Sequence, residues 1–150
     1  MSILQTYPTL ETLRVADAMH PGLISCSPDA PLRSVARMMA TYRVHAILVT
    51  ANGAERLPGG GVWGVISDTD LLRAAQTGDL DEEASRAIAA TPVLTVTTGD
   101  ELSHAAQLMA EHEISHLVVA EPHTARPIGV LSTLDVARAL AGFPETHPIK

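Results

Sequence analysis

The sequence predicts a mixed α/β (α+β) fold in which one β-α-β-β-α unit occurs twice and the two copies pack as a pseudo-twofold pair. The first observation behind this prediction is an internal duplication: residues 43–49 resemble residues 113–119, at an offset of 70, and residues 64–71 resemble residues 129–136, at an offset of 65. The second is that both halves show the same order of strand-like and helix-like periodicity. A repeat of this length is a small unit that buries its apolar face against a copy of itself, with a cleft between the copies.

Each half begins with a short strand and continues with an amphipathic helix. The strand candidates are residues 23–26 and 93–96, which are followed by turn and cap residues. The helices are predicted from apolar side chains at the spacing i, i+3, i+4, i+7: Leu32, Val35, Ala36 and Met39 in the first half, and Leu102, Ala105, Ala106 and Met109 in the second.

Two strands and a closing helix complete each half. Residues 44–49 and 114–119 form apolar runs, a third strand follows at 62–66 or 128–131, and the closing helix begins at Ser67 or Ser132. The extra residues of the first half fall in a glycine-rich turn at 52–61. These elements predict the following organisation: a leader at 1–14, unit one at 15–76, a polar linker at 77–83, unit two at 84–140 and an extended tail at 141–150.

Composition narrows the functional class. Acidic residues outnumber basic ones by 17 to 10 and the net charge is −7, which opposes binding to duplex nucleic acid. The longest apolar runs are far shorter than the roughly 20 residues that span a bilayer, and no basic segment precedes an apolar one near the amino terminus. The single cysteine, Cys26, excludes an intrachain disulfide. We therefore expect a cytoplasmic protein that binds neither duplex nucleic acid nor membrane.

The sequence contains no pattern typical of a catalytic site. It lacks a nucleophile elbow, a paired-cysteine metal signature, a dinucleotide-binding glycine motif and a phosphate loop, and its only lysine is Lys150. His112 and His116 are four residues apart, as in a helical metal-ligand pair, and His104 is nearby. However, His116 falls in a predicted strand, where that spacing loses its meaning. We therefore predict no catalytic residues, no metal site and no enzymatic activity.

The most informative motif is Ser-x-x-Asp, which follows an apolar strand in both halves as Ser67/Asp70 and Ser132/Asp135. One interpretation is a capping box, in which the two side chains satisfy backbone N–H groups at the start of a helix. The other is a nucleotide site, in which the helix N-terminus receives a phosphate and the carboxylate binds the two ribose hydroxyls. The two interpretations are compatible, and the repetition of the motif after a matching strand favours a role in binding.

In these motifs the chain resembles the paired cystathionine-β-synthase (CBS) domain module, also called a Bateman module. The resemblance covers about residues 15–140 and depends on residues 17–21, residues 27–32 and the two Ser-x-x-Asp blocks. It implies two units packed sheet to sheet, a cleft that binds adenine nucleotides or related adenosyl ligands, and dimers shaped like a flat disc.

The resemblance also implies roles for individual residues. Ser67 and Ser132 would lie at the phosphates, and Asp70 and Asp135 at the ribose. The first strands would face the adenine through Ile24, Ser25, Leu94 and Thr95, and the starts of the second strands would direct His45 and His116 toward phosphate. A packed core histidine is the alternative for His116. Because Asp68 adds a negative charge beside Ser67 where the second half has Thr133, Coulomb repulsion favours Ser132/Asp135 as the polyphosphate site.

The predicted function is that of a stand-alone regulatory module without enzymatic activity. It requires no cofactor, binds an adenosine nucleotide as its regulatory ligand with or without magnesium, and transmits the bound state to an unidentified effector protein. We also predict a homodimer, formed by apolar helix surface that two small sheets leave uncovered. The alternative is a ligand-free dimerisation or interaction module in which both Ser-x-x-Asp motifs serve only as helix caps.

Overall fold

A computed structural model of the chain describes residues 7–50, 62–89 and 93–142, with only the backbone at Val62 and Trp63. The predicted turn at 52–61, the start of the leader and most of the predicted tail lie outside the described residues. The helices are α1 (Val15–Ala18), α2 (Leu32–Tyr42), α3 (Asp68–Thr77), α4 (Leu102–His112) and α5 (Thr133–Ala141). The strands are β1 (His20–Pro21), β2 (Ser25–Cys26), β3 (Ala46–Thr50), β4 (Val62–Ser67), β5 (Thr95–Thr97), β6 (His116–Ala120) and β7 (Pro127–Ser132).

The predicted β-α-β-β-α order is confirmed in both halves. One sheet has the order β2-β3-β4 and the other β1-β7-β6-β5. In each half the first strand lies parallel to the second, because a helix crosses between them, and the third returns antiparallel. The duplicated sequence blocks therefore correspond to duplicated supersecondary structure.

The repetition extends to irregular backbone. Helices α2 and α4 both end at a left-handed residue, Arg43 with φ 55° and Glu113 with φ 53°. The amide that follows each donates back into the last turn, to the carbonyl of Met39 or of Met109. Strands β3 and β6 then carry a register irregularity at the same position, Val49/Thr50 and Val119/Ala120. The two units are thus equivalent in detail.

The segment before β2 precedes unit one in the sequence but packs on unit two. Strand β1 pairs antiparallel with β7, and Val15, Ala18 and Met19 are buried in the same cluster as Leu102. The sequence pattern predicted neither α1 nor β1. Both are shorter than the windows from which hydrophobic periodicity can be read.

The segment between the two units, in turn, packs on unit one through backbone hydrogen bonds. Backbone carbonyls of Leu80 and Glu83 accept from the first amides of α2. Carbonyls of Leu10 and Leu13 in the leader accept from the first amides of α4 in the same way. Neither helix has a side-chain cap at its N-terminus, so these carbonyls satisfy amides that would otherwise lack a partner. Each unit is therefore completed by the segment that precedes the other unit.

The two sheets face each other through a small apolar layer of Leu48, Val65 and Val118. The helices cover the outer faces, and the predicted apolar stripes of α2 and α4 are largely buried against their own sheets, at Leu32, Val35, Met39, Leu102, Ala105 and Met109. These buried side chains are therefore not surplus surface for a dimer, and the homodimer stays a prediction. The large exposed apolar side chains of the closing helices are instead Leu72 on α3 and Leu134 and Leu140 on α5.

None of the described helices combines the length and the apolar character needed to cross a bilayer.

Candidate functional site

Both Ser-x-x-Asp motifs form complete capping boxes. In unit one the Ser67 amide donates to Asp70 Oδ2 at 2.9 Å, and the Asp70 amide donates to Ser67 Oγ at 3.1 Å. In unit two the corresponding distances between Ser132 and Asp135 are 2.8 and 3.1 Å. The capping interpretation is therefore confirmed for both, and each aspartate has a second carboxylate oxygen, Oδ1, outside the box.

The amides at the start of α3 already have partners. The Asp68 amide donates to the His45 carbonyl at 2.9 Å, and the Thr69 amide donates to Asp68 Oδ1 at 2.8 Å. With the Asp70 amide on Ser67 Oγ, this helix end does not present the open N–H groups that the phosphate interpretation assumed. A phosphate here would have to be bound mainly by side chains.

A cleft of about 580 Å³ lies beside Ser67 and Asp70, between the two units. Unit one contributes the capping box together with Thr69 and Arg73 of α3. The opposite wall comes from unit two, from the segment before β5 and the turn between α4 and β6. The apolar lining of the whole cleft consists of Val65 from β4 of unit one and Val93, Leu94 and Ile114 from unit two. The cleft therefore has apolar walls and a polar end, which is the usual character of a small-molecule site.

The carboxylate of Asp70 is the central polar group of this cleft. One quarter of its side-chain surface is exposed. Its Oδ1 lies 3.4 Å from Nη1 of Arg73, one turn further along α3. This distance is longer than that of a typical charge-assisted hydrogen bond, and the Arg73 side chain is 73% exposed. Oδ1 can therefore exchange Arg73 for another donor at little cost.

His116 also lines the cleft, and it is half-buried. Its Nδ1 lies 3.0 Å from Ser115 Oγ. Burial is the main influence and lowers the pKa of His116 below the ordinary value, while the charges of Asp68 and Asp135 act in the opposite direction. Near neutral pH the imidazole is thus an uncharged hydrogen-bonding group, so His116 combines the packed role with a place in the cleft wall.

His45 immediately precedes β3 and is paired with Asp68. Its exposed imidazole places Nδ1 2.9 Å from Asp68 Oδ2, and this hydrogen bond is the main reason why the pKa of Asp68 is lowered. His45 is not among the residues that line the cleft beside Asp70. The lowered pKa keeps Asp68 ionised, so the negative charge that the sequence places beside Ser67 is present.

The second capping box has a different environment. The Asp135 side chain is 5% exposed, and its Oδ1 lies 2.7 Å from Nδ1 of His20 in β1. At the site that was predicted to be preferred by a polyphosphate, the aspartate is therefore buried and already paired.

Of the four residues predicted to face the adenine, one lines the cleft and three lie elsewhere. Leu94 lines the cleft beside Asp70. Ile24 packs into the core of unit one, and Ser25 and Thr95 are exposed on β2 and β5. The structure thus brings together Ser67, Asp70, Leu94 and His116 in one cleft.

Several cleft residues were not predicted as ligand contacts. Arg73 follows Asp70 by three positions on a helix, so helical spacing alone could have placed it beside the carboxylate. His112 and Glu113 end α4 and could have been found from their proximity to His116 in the sequence. In the parts of the chain that the structure describes, no three His, Cys, Asp or Glu side chains are arranged to hold a metal ion.

The chain was then compared with known proteins. The family model for the CBS domain matches residues 15–77 and again residues 85–142. The CBS domain-containing protein YhcV of Bacillus subtilis (strain 168) is 25% identical over 124 residues, which cover 82% of each chain.

Solved structures of CBS domain proteins are also similar to this chain. The CBS domain protein PAE2072 from Pyrobaculum aerophilum, in complex with AMP, is 31% identical with a TM-score of 0.70, and the match covers 87% of this chain and 100% of that one. The CBS domain pair of protein MJ0100, in complex with 5′-methylthioadenosine and S-adenosyl-L-methionine, has a TM-score of 0.73 at 17% identity, with 87% and 97% of the chains covered.

Proposed function

The chain belongs to the CBS domain family, and from this premise we propose that it is a non-enzymatic regulatory module that binds an adenosine nucleotide in the cleft beside Ser67 and Asp70. The observation that carries the proposal is the combination, in one cleft, of apolar walls with a partly exposed aspartate whose outer oxygen is only loosely paired. The AMP complex of the 31% identical relative supports the choice of ligand class.

The proposed binding mode assigns each part of the ligand to a group in the cleft. The adenine packs between Val65 and the segment that contains Leu94, where apolar surface is removed from water. The ribose hydroxyls donate to Asp70 Oδ1, which releases Arg73. The guanidinium is then available to a phosphate, with which it forms strong charge-assisted hydrogen bonds. The Ser67 hydroxyl, whose oxygen accepts from Asp70, still has its hydrogen to donate.

The experiment that tests this function is a calorimetric titration with adenosine, AMP, ADP, ATP and S-adenosylmethionine, with and without magnesium. GMP serves as a control for the base. Thermal unfolding is followed in parallel, because a ligand that binds only the native state raises its melting temperature. Binding of one of the adenosine compounds but not of GMP is expected.

A site variant and a matched control complete this test. Asp70→Asn retains an acceptor for the Ser67 amide but removes the charge, and should weaken binding. The control Asp79→Asn changes an exposed aspartate in the linker and should not. If no adenosine compound binds or stabilises the wild type, the proposal is wrong.

The second candidate function is a ligand-free interaction module. Both capping boxes are complete without any ligand, and the exposed Leu72, Leu134 and Leu140 could supply a homodimer surface on the closing helices. Light scattering at micromolar concentration tests the homodimer, and Leu72→Glu should dissociate it. A dimer that no adenosine compound stabilises would favour this candidate. For the nucleotide-binding function, we propose that the bound state is transmitted to an effector protein.

A further inference from the structure

We propose that His20 is the residue that decides which of the two capping-box aspartates is open to a ligand, because it holds Asp135 closed while Asp70 stays accessible. This inference rests on the proposed function, since it concerns where an adenosine ligand binds. It predicts one ligand per chain rather than the two that the duplicated motifs suggest.

The two aspartates have the same capping box but differ in burial and in the partner of their outer oxygen. Inside the boxes the hydrogen bonds agree to within 0.1 Å. Arg138 follows Asp135 by three positions, as Arg73 follows Asp70. Yet Asp135 Oδ1 is paired with His20 at 2.7 Å, whereas Asp70 Oδ1 is paired with Arg73 at 3.4 Å. In unit two, His20 lies beside the outer oxygen of the aspartate. In unit one, Arg73 lies there, on the same helix as Asp70.

The backbone fixes His20 in this position. Strand β1 pairs with β7, with His20 opposite Val130 and Pro21 opposite Gly129, and the Gly22 amide donates to the Ile128 carbonyl at 3.0 Å. Gly129 allows the close approach, because a Cβ at that position would collide with the carbonyl oxygen of His20. Both partners are exposed side chains, 62% for His20 and 73% for Arg73, but His20 has a short side chain on a paired strand, whereas Arg73 has a longer side chain with more rotatable bonds.

The burial of the Asp135 side chain further limits its access to a ligand. At Asp70 one quarter of the side-chain surface is open, but at Asp135 only 5% is. A ribose at Asp135 would have to displace a partner 0.7 Å closer than the one at Asp70. The Ser132 amide would still donate to Oδ2, but the outer oxygen of this buried carboxylate would lose its partner, which is costly. A ribose at Asp70 meets neither obstacle. The ligand should therefore occupy the first site alone.

The test is an isothermal titration of AMP into four proteins: the wild type, His20→Ala, His20→Thr and the control His104→Ala. Threonine suits a strand and is too short to replace the imidazole. His104 is an exposed histidine on α4 that does not line the cleft. The wild type and the control should bind one AMP per chain. At least one of the two His20 variants should bind a second AMP, with the first affinity unchanged, and adding Asp135→Asn should abolish the second event.

Circular dichroism identifies which His20 variants keep the native fold, and the stoichiometry is read from those. The inference is overturned by two equal AMP sites in the wild type, by a single site in folded His20 variants, or by the unfolding of both, which would make His20 a purely structural residue. If AMP and the other adenosine compounds bind to none of the four proteins, the proposed function itself fails. The two failures are therefore distinguishable.

Discussion

The two halves share their backbone framework, which consists of the helix ends, the strand register and the capping boxes, but they differ in most of the side chains that line the cleft. Where unit two places His112, Glu113 and His116 around the cleft beside Asp70, the offset of 70 gives unit one Tyr42, Arg43 and Ala46. Likewise, Thr69 corresponds to Leu134 at the offset of 65. Tyr42 and Leu134 are both large and exposed. Helix ends, register and capping boxes are the same in both copies, while the other side chains that would contact a ligand differ.

This comparison separates two kinds of constraint. The capping box, the left-handed helix end and the register irregularity recur because each solves a backbone problem that both units have. The lining residues solve no such problem, so they are free to differ. The duplication of Ser-x-x-Asp is therefore evidence for a duplicated fold, and only the surroundings of each aspartate indicate whether it can bind a ligand.

The largest expected effect comes from removing the charge at each aspartate in turn. Asp70→Asn should weaken adenosine-nucleotide binding by about 1.5–3 kcal/mol for each charge-assisted hydrogen bond lost to the ribose. Asp135→Asn should leave it unchanged, because that carboxylate is engaged with His20 and contacts no ligand. Calorimetric titration of both variants measures the difference. Equal losses would mean that the two sites are equivalent and that the comparison is wrong.

Much of the fold could be predicted because it depends on local signals. Helical spacing predicted α2 and α4, and the repeated Ser-x-x-Asp blocks predicted the starts of α3 and α5. The packing of the leader on unit two and of the linker on unit one could not be predicted. The elements α1 and β1, and the carbonyls that cap α2 and α4, depend on contacts between segments far apart in the chain. Periodicity within a segment carries no information about such contacts.

The candidate site was predicted in part for the same reason. Asp70 and Ser67 follow from a local motif, but the pairing of Asp135 with His20 joins residues more than a hundred positions apart. The register of the repeat could have separated the two histidines: His116 corresponds to Ala46, which packs between the sheets, and His45 corresponds to Ser115.

A second prediction concerns the close approach that holds β1 against unit two. Gly129→Ala should lower the free energy of unfolding by about 1–3 kcal/mol, the usual cost of overpacking, because the added methyl meets the His20 carbonyl. Gly99→Ala is the matched control in the same unit, since nothing lies within 4 Å of a Cβ there. Urea unfolding of the two variants provides the measurement. Equal stabilities would show that β1 can move away from β7 freely.

A smaller effect is expected at the serines of the capping boxes. Ser67→Ala and Ser132→Ala should each cost about 1 kcal/mol of stability, because an amide in the first turn loses its acceptor. The costs should be similar, since both hydrogen bonds are 3.1 Å long. Thermal unfolding of the two variants without ligand tests this equality. A large difference would contradict the claim that the framework is shared.

The smallest expected effect is the pH dependence that His116 adds and that its counterpart Ala46 does not. Burial lowers the pKa of His116 in the folded chain, so the unfolded chain takes up this proton first, near the ordinary pKa of 6.5. Stability is therefore complete above that pH and falls as the pH drops from 6.5 toward the lower folded pKa. The pairing of Asp68 with His45 lowers the pKa of that carboxyl below 3.8, so its contribution is lost only at more acidic pH.

The variant His116→Ala gives this position the residue found in the other half, and it should flatten the fall in stability below pH 6.5. His20 and His45 are present in both proteins, so the difference between wild type and variant reports on His116 alone. Urea unfolding at a series of pH values between 6.5 and 3.8 measures it. Parallel curves for the two proteins would mean that His116 titrates like an exposed histidine. Its burial in the cleft wall would then not be what distinguishes unit two from unit one.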